Sequence, residues 1–292
     1  MKIHWQSKLV LLAVLPFAVA GVVLQAHWWA VNQGPVALWT LALSLLLGLV
    51  TWKLGAATAD GAFCGAVLTA SLTFSTVNFP SLPWRTALIP VLAVSLLAHF
   101  ATRIGRERKQ RLGVAEPSGG RNAAQIAANL GVAALASHEL AQGWMTDSRW
   151  FSPAAMASML IFAPGLAALA EAAADTVSSE VGQVFGGRPR LISTLRPMEP
   201  GTNGAVSLRG TLAGVCAAAL VALVGTLALG GGISLFWISL AGGVFGLLFD
   251  SLLGATLERR GWLNNDAVNF LSTASAACFA LAVMAALHPR WG

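Results

Sequence analysis

Only 12 of the 292 residues are acidic, and several stand where an apolar helix should carry no charge. Glu171, Asp175, Ser178 and Ser179 follow the i, i+4, i+7, i+8 spacing of one helical stripe. Glu180 points away from that stripe and joins it only if the helix unwinds near Gly182. Gly242, Gly246, Asp250 and Gly254 recur at strict four-residue intervals, a small-residue stripe that admits another helix and turns Asp250 inward. Asn264, Asn265 and Asp266, then Asn269, Ser272 and Thr273, open another apolar run, and Arg121 with Asn122, then Gln125 and Asn129, open one more. Two glycine-rich turns precede helices: Ser118-Gly119-Gly120-Arg121-Asn122, and Pro200-Gly201-Thr202-Asn203-Gly204, which ends near Ser207. Backbone N–H groups at a helix start suit phosphate, and Arg103, Arg106, Arg108, Lys109, Arg188, Arg190 and Arg196 lie close by in the chain. Carboxylates, phosphate-ready turns and arginines are the components of Mg²⁺-assisted phosphoryl transfer, in which positioning and charge neutralisation supply most of the catalysis. Singly these features are weak. Neither turn matches GxxxxGK[ST], and arginine runs also mark membrane topology.

The elements that must hold these residues are membrane helices. The chain is 56% hydrophobic and 10% charged, against about 25% charged in a soluble domain. That balance excludes a soluble enzyme and a disordered chain. Hydropathy predicts an all-α polytopic membrane protein of about nine transmembrane helices, near 8–26, 36–52, 55–76, 84–102, 122–140, 153–176, 206–229, 234–256 and 266–287. They form a single transmembrane domain over 1–292. The first helix, after Lys2 and Lys8, is read as retained, because no small-residue cleavage site precedes a polar segment.

With the N-terminus in the cytoplasm and the C-terminus outside, all of the 18 lysines and arginines except Arg85, Arg149 and Arg290 fall on the cytoplasmic side. The net charge of +6 is then a topology signal, and no nucleic acid is expected as a partner. The expected setting is the plasma (inner) membrane, with the lipid bilayer as a partner. The polar ends of the fifth, sixth, eighth and ninth helices all share the cytoplasmic face, so a site built from them is shallow and reached by water. Asp60 could join that site or line a helix interface. Glu107, Glu116 and Glu258, among basic residues, read as solvated loop charges, and Cys64, Cys216 and Cys278 as small buried hydrophobes.

Three segments resemble a known family: Glu171 to Gly182 (EAAADTVSSEVG), Pro200 to Thr211 (PGTNGAVSLRGT) and Gly246 to Asn269 (GLLFDSLLGATLERRGWLNNDAVN). Together they are similar to the phytyl-phosphate kinase–like integral membrane proteins, catalogued as a domain of unknown function and related to CTP-dependent phytol and polyprenol kinases. The similarity runs from about Lys53 to the end, with residues 1–52 less distinctive. Ala205 departs from the second glycine (GTNGG) expected there.

The resemblance implies an enzyme that phosphorylates an isoprenoid (phytyl or prenyl) monophosphate with CTP or another nucleoside triphosphate and Mg²⁺, at the cytoplasmic face. Carried onto matching positions, it makes Asp175, Glu180 and Asp250 the metal ligands and Gly201, Thr202, Asn203, Gly204 and Ser207 the phosphate cradle. Asn265, Asp266 and Asn269 would complete the pocket, and Gly119, Gly120, Arg121 and Asn122 are the second candidate phosphate turn. A transporter or flippase for a lipid-linked or anionic solute is the alternative. One-sided polarity and the lack of a visible inverted repeat weigh against it. A CDP-alcohol phosphotransferase ranks lower, since Asp60-Gly61 is not followed by that family's spaced aspartates.

Overall fold

The computed structural model describes residues 5–114, 119–148, 150–151 and 159–287. Lys2, Glu116, Ser118, Arg149, Arg290 and residues 153–158 of the expected sixth helix lie outside them. The described chain is helical: α1 (Trp5–Asn32), α2 (Gly34–Lys53), α3 (Ala59–Ser75), α4 (Leu88–Arg103), the short α5 (Arg106–Arg111), α6 (Ala123–Ser137), α7 (Glu139–Asp147), α8 (Ala163–Phe185), α9 (Leu208–Leu229), α10 (Ile233–Leu253) and α11 (Asn265–Leu287). Between α8 and α9, two short strands, β1 (Arg190–Leu191) and β2 (Ala205–Val206), pair antiparallel.

Among the described residues six helices are long and apolar enough to cross a membrane: α1, α2, α8, α9, α10 and α11. The nine expected spans include three places where the helix is shorter: α3, α4 and α6, of 17, 16 and 15 residues. At about 1.5 Å per residue these fall below the roughly 30 Å of a hydrocarbon core. Caps trim two of them. Thr58 Oγ1 accepts from the Gly61 amide (3.3 Å) at the start of α3, and Asn122 with Gln125 forms a reciprocal capping box at the start of α6.

α8 is the central helix. Its apolar stretch is 94% buried, against 22% for α1 and 28% for α2, and it touches α4, α6, α9, α10 and α11. Lipid tails give helices no hydrophobic reason to associate, so close approach over small side chains must hold them. The alanine-rich run of α8 permits that approach from several sides. On α9, a Cβ at Gly214 would stand 2.7 Å from the Ala174 carbonyl oxygen, and Gly243 of α10 abuts Ala170 and Glu171 as closely as a backbone allows.

α8 continues to Phe185, nine residues beyond the expected end, and closes with the Gly186 amide on the Gly182 carbonyl at 2.8 Å. It does not unwind near Gly182. The polar helix ends converge: Ser7 of α1 on Asp266 of α11, Arg121 before α6 on Ala56 before α3 and on Thr176 of α8, and Lys109 of α5 on Glu180. They collect at one end of the bundle. Cys64 is buried as expected, whereas Cys216 and Cys278 are exposed, on outward faces of α9 and α11.

Candidate functional site

Four carboxylates meet where α8, α10 and α11 cross. Asp175 and Asp250 lie within hydrogen-bonding reach of each other, and Glu171, one turn earlier on α8, is close enough to interact electrostatically with both. Gly246 makes the approach possible, since a Cβ there would stand 2.5 Å from Glu171 Cγ and 2.9 Å from the Ser272 carbonyl oxygen. The α10 glycine stripe therefore turns Asp250 inward, as its spacing predicts. Arg121 approaches from the turn before α6: its guanidinium acts on Asp175 and its Nη2 lies 3.5 Å from Thr176 Oγ1. The half-buried Asn269 sits one turn before Ser272, which donates to its carbonyl oxygen at 3.0 Å.

Sequence reasoning passed over one member of this group. Glu258 was assigned to solvent among basic residues, yet it ends a π-helical turn, Gly254–Glu258, half-buried and within electrostatic reach of Asp175 and Asp250. The signal was present, because 258 is the next step of the series 242, 246, 250, 254. Adjacent Arg259 and Arg260 masked it.

Several expected site residues already have structural partners. Glu180 is buried against Lys109 at 2.5 Å, and the same ammonium donates to the Thr102 carbonyl oxygen at 2.6 Å. That triad ties α5 to α4 and α8 and gives Glu180 a structural partner, although Glu180 stays within electrostatic reach of Asp175. Asp266 accepts from Ser7 Oγ at 2.6 Å, and Asn264 Nδ2 donates to the same hydroxyl at 3.0 Å. Asp266 therefore docks α1 on α11 and is not in the acid pocket. Asn265 is exposed at the helix start.

The two glycine-rich turns differ in the same way. At the first, the Arg121 amide donates to the Ala56 carbonyl (3.0 Å), the Asn122 amide to Gln125 Oε1 (2.9 Å), the Ala123 amide to Asp60 Oδ2 (3.2 Å) and the Gln125 amide to Asn122 Oδ1 (3.1 Å). Gly120, at φ +76°, lies against the Ala56–Ala57 backbone. The Arg121, Asn122 and Ala123 amides are therefore in use, and only those of Gly119 and Gly120 make no hydrogen bond among the described residues. Arg121 contributes its side chain instead, and Asp60 is a capping residue for this junction.

The second turn is held differently. Its Thr202 amide bonds the Glu199 carbonyl and its Ala205 amide the Thr202 carbonyl, while the amides of Gly201, Asn203 and Gly204 make no hydrogen bond among the described residues. Gly204, at φ +72°, lies so close to the π-helical turn that a Cβ would stand 2.1 Å from the Ala255 amide nitrogen. The tight contact is at Gly204, and Ala205 is accommodated in β2. Ser207 caps α9, accepting from the Gly210 amide at 3.1 Å, and so belongs to the frame more than to the cradle.

Both carboxyl oxygens of Glu171, which is 1% exposed, and Oδ2 of Asp250 are buried without a hydrogen bond among the described residues, because the Ser272 hydroxyl beside them donates to the Asn269 carbonyl oxygen instead. A buried carboxylate without a partner costs several kcal/mol. A hard divalent cation offers the missing compensation, because it takes oxygen ligands only. Among the described residues no three His, Cys, Asp or Glu side chains stand as a ready metal cage. Mg²⁺ does not require one, since it is commonly held by one or two carboxylates plus substrate phosphates. Asp175 and Asp250, with Glu171 behind them, fit that pattern.

Residues 42–277 match the family described as Integral membrane protein DUF92. An uncharacterized membrane protein of Synechocystis sp. is 35% identical over 218 residues, covering 72% of this chain and 78% of that protein. An uncharacterized membrane protein of Methanocaldococcus jannaschii is 47% identical over 108 residues, 37% of this chain. This chain spans 45% of that archaeal relative's length. The chloroplastic protein VTE6 of Arabidopsis thaliana is 27% identical over 220 residues, 72% of this chain and 63% of that protein. No solved structure matches.

Proposed function

The chain belongs to the integral membrane protein family DUF92, and we propose that it is a membrane-embedded isoprenoid-monophosphate kinase, transferring a phosphoryl group from CTP or another nucleoside triphosphate to give the diphosphate. The observation that carries this reading is the set of unpartnered buried oxygens on Glu171 and Asp250 beside Asp175. These groups suit Mg²⁺, which when bound neutralises phosphate oxygens and polarises the transferring group. The resemblance of the EAAADTVSSEVG, PGTNGAVS and DSLLGAT segments to phytyl-phosphate kinase–like proteins supplies the reaction class.

Each element then has a task. Asp175 and Asp250 hold the metal, Glu171 sets its charge environment, and the Gly201, Asn203 and Gly204 amides receive nucleotide phosphates beside the π-helical turn. Arg121 offers its positive charge on the other side of Asp175, where charge on the transferring oxygens develops. A phosphate acceptor is already ionised, so no strong general base is required. Loop charge bias supports a cytoplasmic orientation for this end of the bundle, at the inner membrane, where nucleotide is available. The isoprenoid keeps its tail in lipid and its head at the interface.

The test is transfer of label from γ-labelled CTP or ATP, with Mg²⁺, to phytyl, geranylgeranyl or farnesyl monophosphate by detergent-purified protein. Label entering a lipid diphosphate supports the kinase. Its absence with every acceptor, from folded protein, removes this reading and favours transport.

A further inference from the structure

A second cavity, of about 230 Å³, lies beside the acid pocket between α2, α3, α4 and α6. Its wall divides by chemistry. One end carries the guanidinium-bearing residues Arg103, Arg106 and Arg121. The rest is mixed: Leu47 of α2, Val94 of α4, and Ile126 and Leu130 of α6 give it an apolar wall, interrupted by Thr51, Thr69, Ser95, His99, Thr102 and Asn129. Three arginines at one end and an apolar stripe along the wall are complementary to an anion that carries a hydrocarbon tail.

We propose that this cavity is the acceptor subsite, binding the phosphate of an isoprenyl monophosphate at the three arginines and its first isoprene units along the apolar wall. The assignment deepens the kinase reading and rests on it for the identity of the acceptor. Arg121 joins the two sites, because it lines the cavity and its guanidinium also acts on Asp175. Donor and acceptor then approach the carboxylates from opposite sides, the nucleotide from the Pro200–Gly204 turn and the lipid from α2–α6. In-line transfer requires such an arrangement.

The volume is below the roughly 300–1,000 Å³ of pockets that enclose a drug-sized ligand, which suits a head group and the start of a tail. The remaining tail leaves laterally between α2 and α4, which flank the cavity and have at most a slight contact with each other.

The experiment measures binding of geranylgeranyl monophosphate to the full chain in detergent, with no nucleotide present. Geranylgeraniol and inorganic phosphate serve as separate arms. Gly65 lines the cavity, and a Cβ there meets only Ile126 Cγ2 at 3.7 Å, so Gly65→Leu fills the slot without disturbing a packed contact. Arg106→Gln removes one exposed cation from the mouth.

The expected result is binding of the monophosphate that weakens about tenfold in each variant, the loss of one good polar or apolar anchor, with alcohol and inorganic phosphate at least about tenfold weaker than the monophosphate. Should Gly65→Leu fail to fold, Thr51→Leu fills the slot from the α2 wall. Monophosphate binding unchanged in both classes of variant overturns the assignment, as does alcohol binding as well as monophosphate. The two readings fail separately. Variant-sensitive binding without transfer from any nucleotide removes the kinase and keeps the subsite, whereas transfer with variant-insensitive binding does the reverse.

Discussion

Two glycine-rich turns, each followed by a capped helix, behave oppositely in the folded chain. At the first turn the Arg121, Asn122, Ala123 and Gln125 amides are engaged by Ala56, Gln125, Asp60 and Asn122, whereas in Pro200–Gly204 the Gly201, Asn203 and Gly204 amides have no hydrogen-bond partner among the described residues. Two acids on α8, five residues apart, repeat the contrast. Glu180 has Lys109, while Asp175 faces Asp250 and the Arg121 guanidinium, with Glu171, Glu180 and Glu258 within electrostatic reach. Residue type does not separate structural from functional polar groups here. Whether the fold has already satisfied them does, because a buried polar group is either hydrogen-bonded or waiting for a ligand.

That contrast predicts a division between variants that lose stability and variants that lose activity. The largest effect is expected at the ion pair. Lys109→Met leaves Glu180 buried and alone, and should lower unfolding free energy by roughly 3–5 kcal/mol, read from denaturation in detergent. Asp250→Asn should reduce phosphoryl transfer by about 10²–10³-fold, the scale of losing a charge-stabilising group, with the melting temperature unchanged or raised. If Asp250→Asn unfolded the protein instead, the acid pocket would be a structural device and the contrast would collapse.

Smaller changes sharpen the comparison between the turns. Gly204→Ala forces a Cβ against the Ala255 amide at positive φ and should cost about 1–3 kcal/mol, with transfer reduced beyond what the stability loss explains. Asn122→Ala removes a cap and should cost about 1 kcal/mol, measured by thermal unfolding, with transfer per folded molecule retained. Smallest of all, Gly119→Ala meets only Thr58 Cγ2 at 4.0 Å and should move stability by less than about 0.5 kcal/mol. Transfer lost on Gly119→Ala would restore the first turn as a phosphate site.

Much of this was readable before any coordinates. Long apolar runs located the helices, and the four-residue glycine stripe on α10 told which way Asp250 faces, because both are local periodicities. The span count was less legible, since capping at Thr58 and Asn122 shortens α3 and α6 in ways hydropathy does not register. The partners of polar groups were hidden for a different reason. Lys109 and Glu180 are 71 positions apart, Asp60 and Ala123 63, and Ser7 and Asp266 259. No spacing rule reaches that far. Glu258 was concealed by its basic neighbours, although its register continued the stripe.

The central claim is that the unpartnered carboxylates, and not the partnered ones, form the reactive centre. The most direct measurement is label transfer from γ-labelled nucleotide to geranylgeranyl monophosphate by the wild-type chain, Asp250→Asn and Asp266→Asn, each shown to be folded. The account predicts a labelled lipid diphosphate from the wild type and from Asp266→Asn, and its loss in Asp250→Asn. Equal activity in both variants, or loss in Asp266→Asn with Asp250→Asn unimpaired, would contradict it.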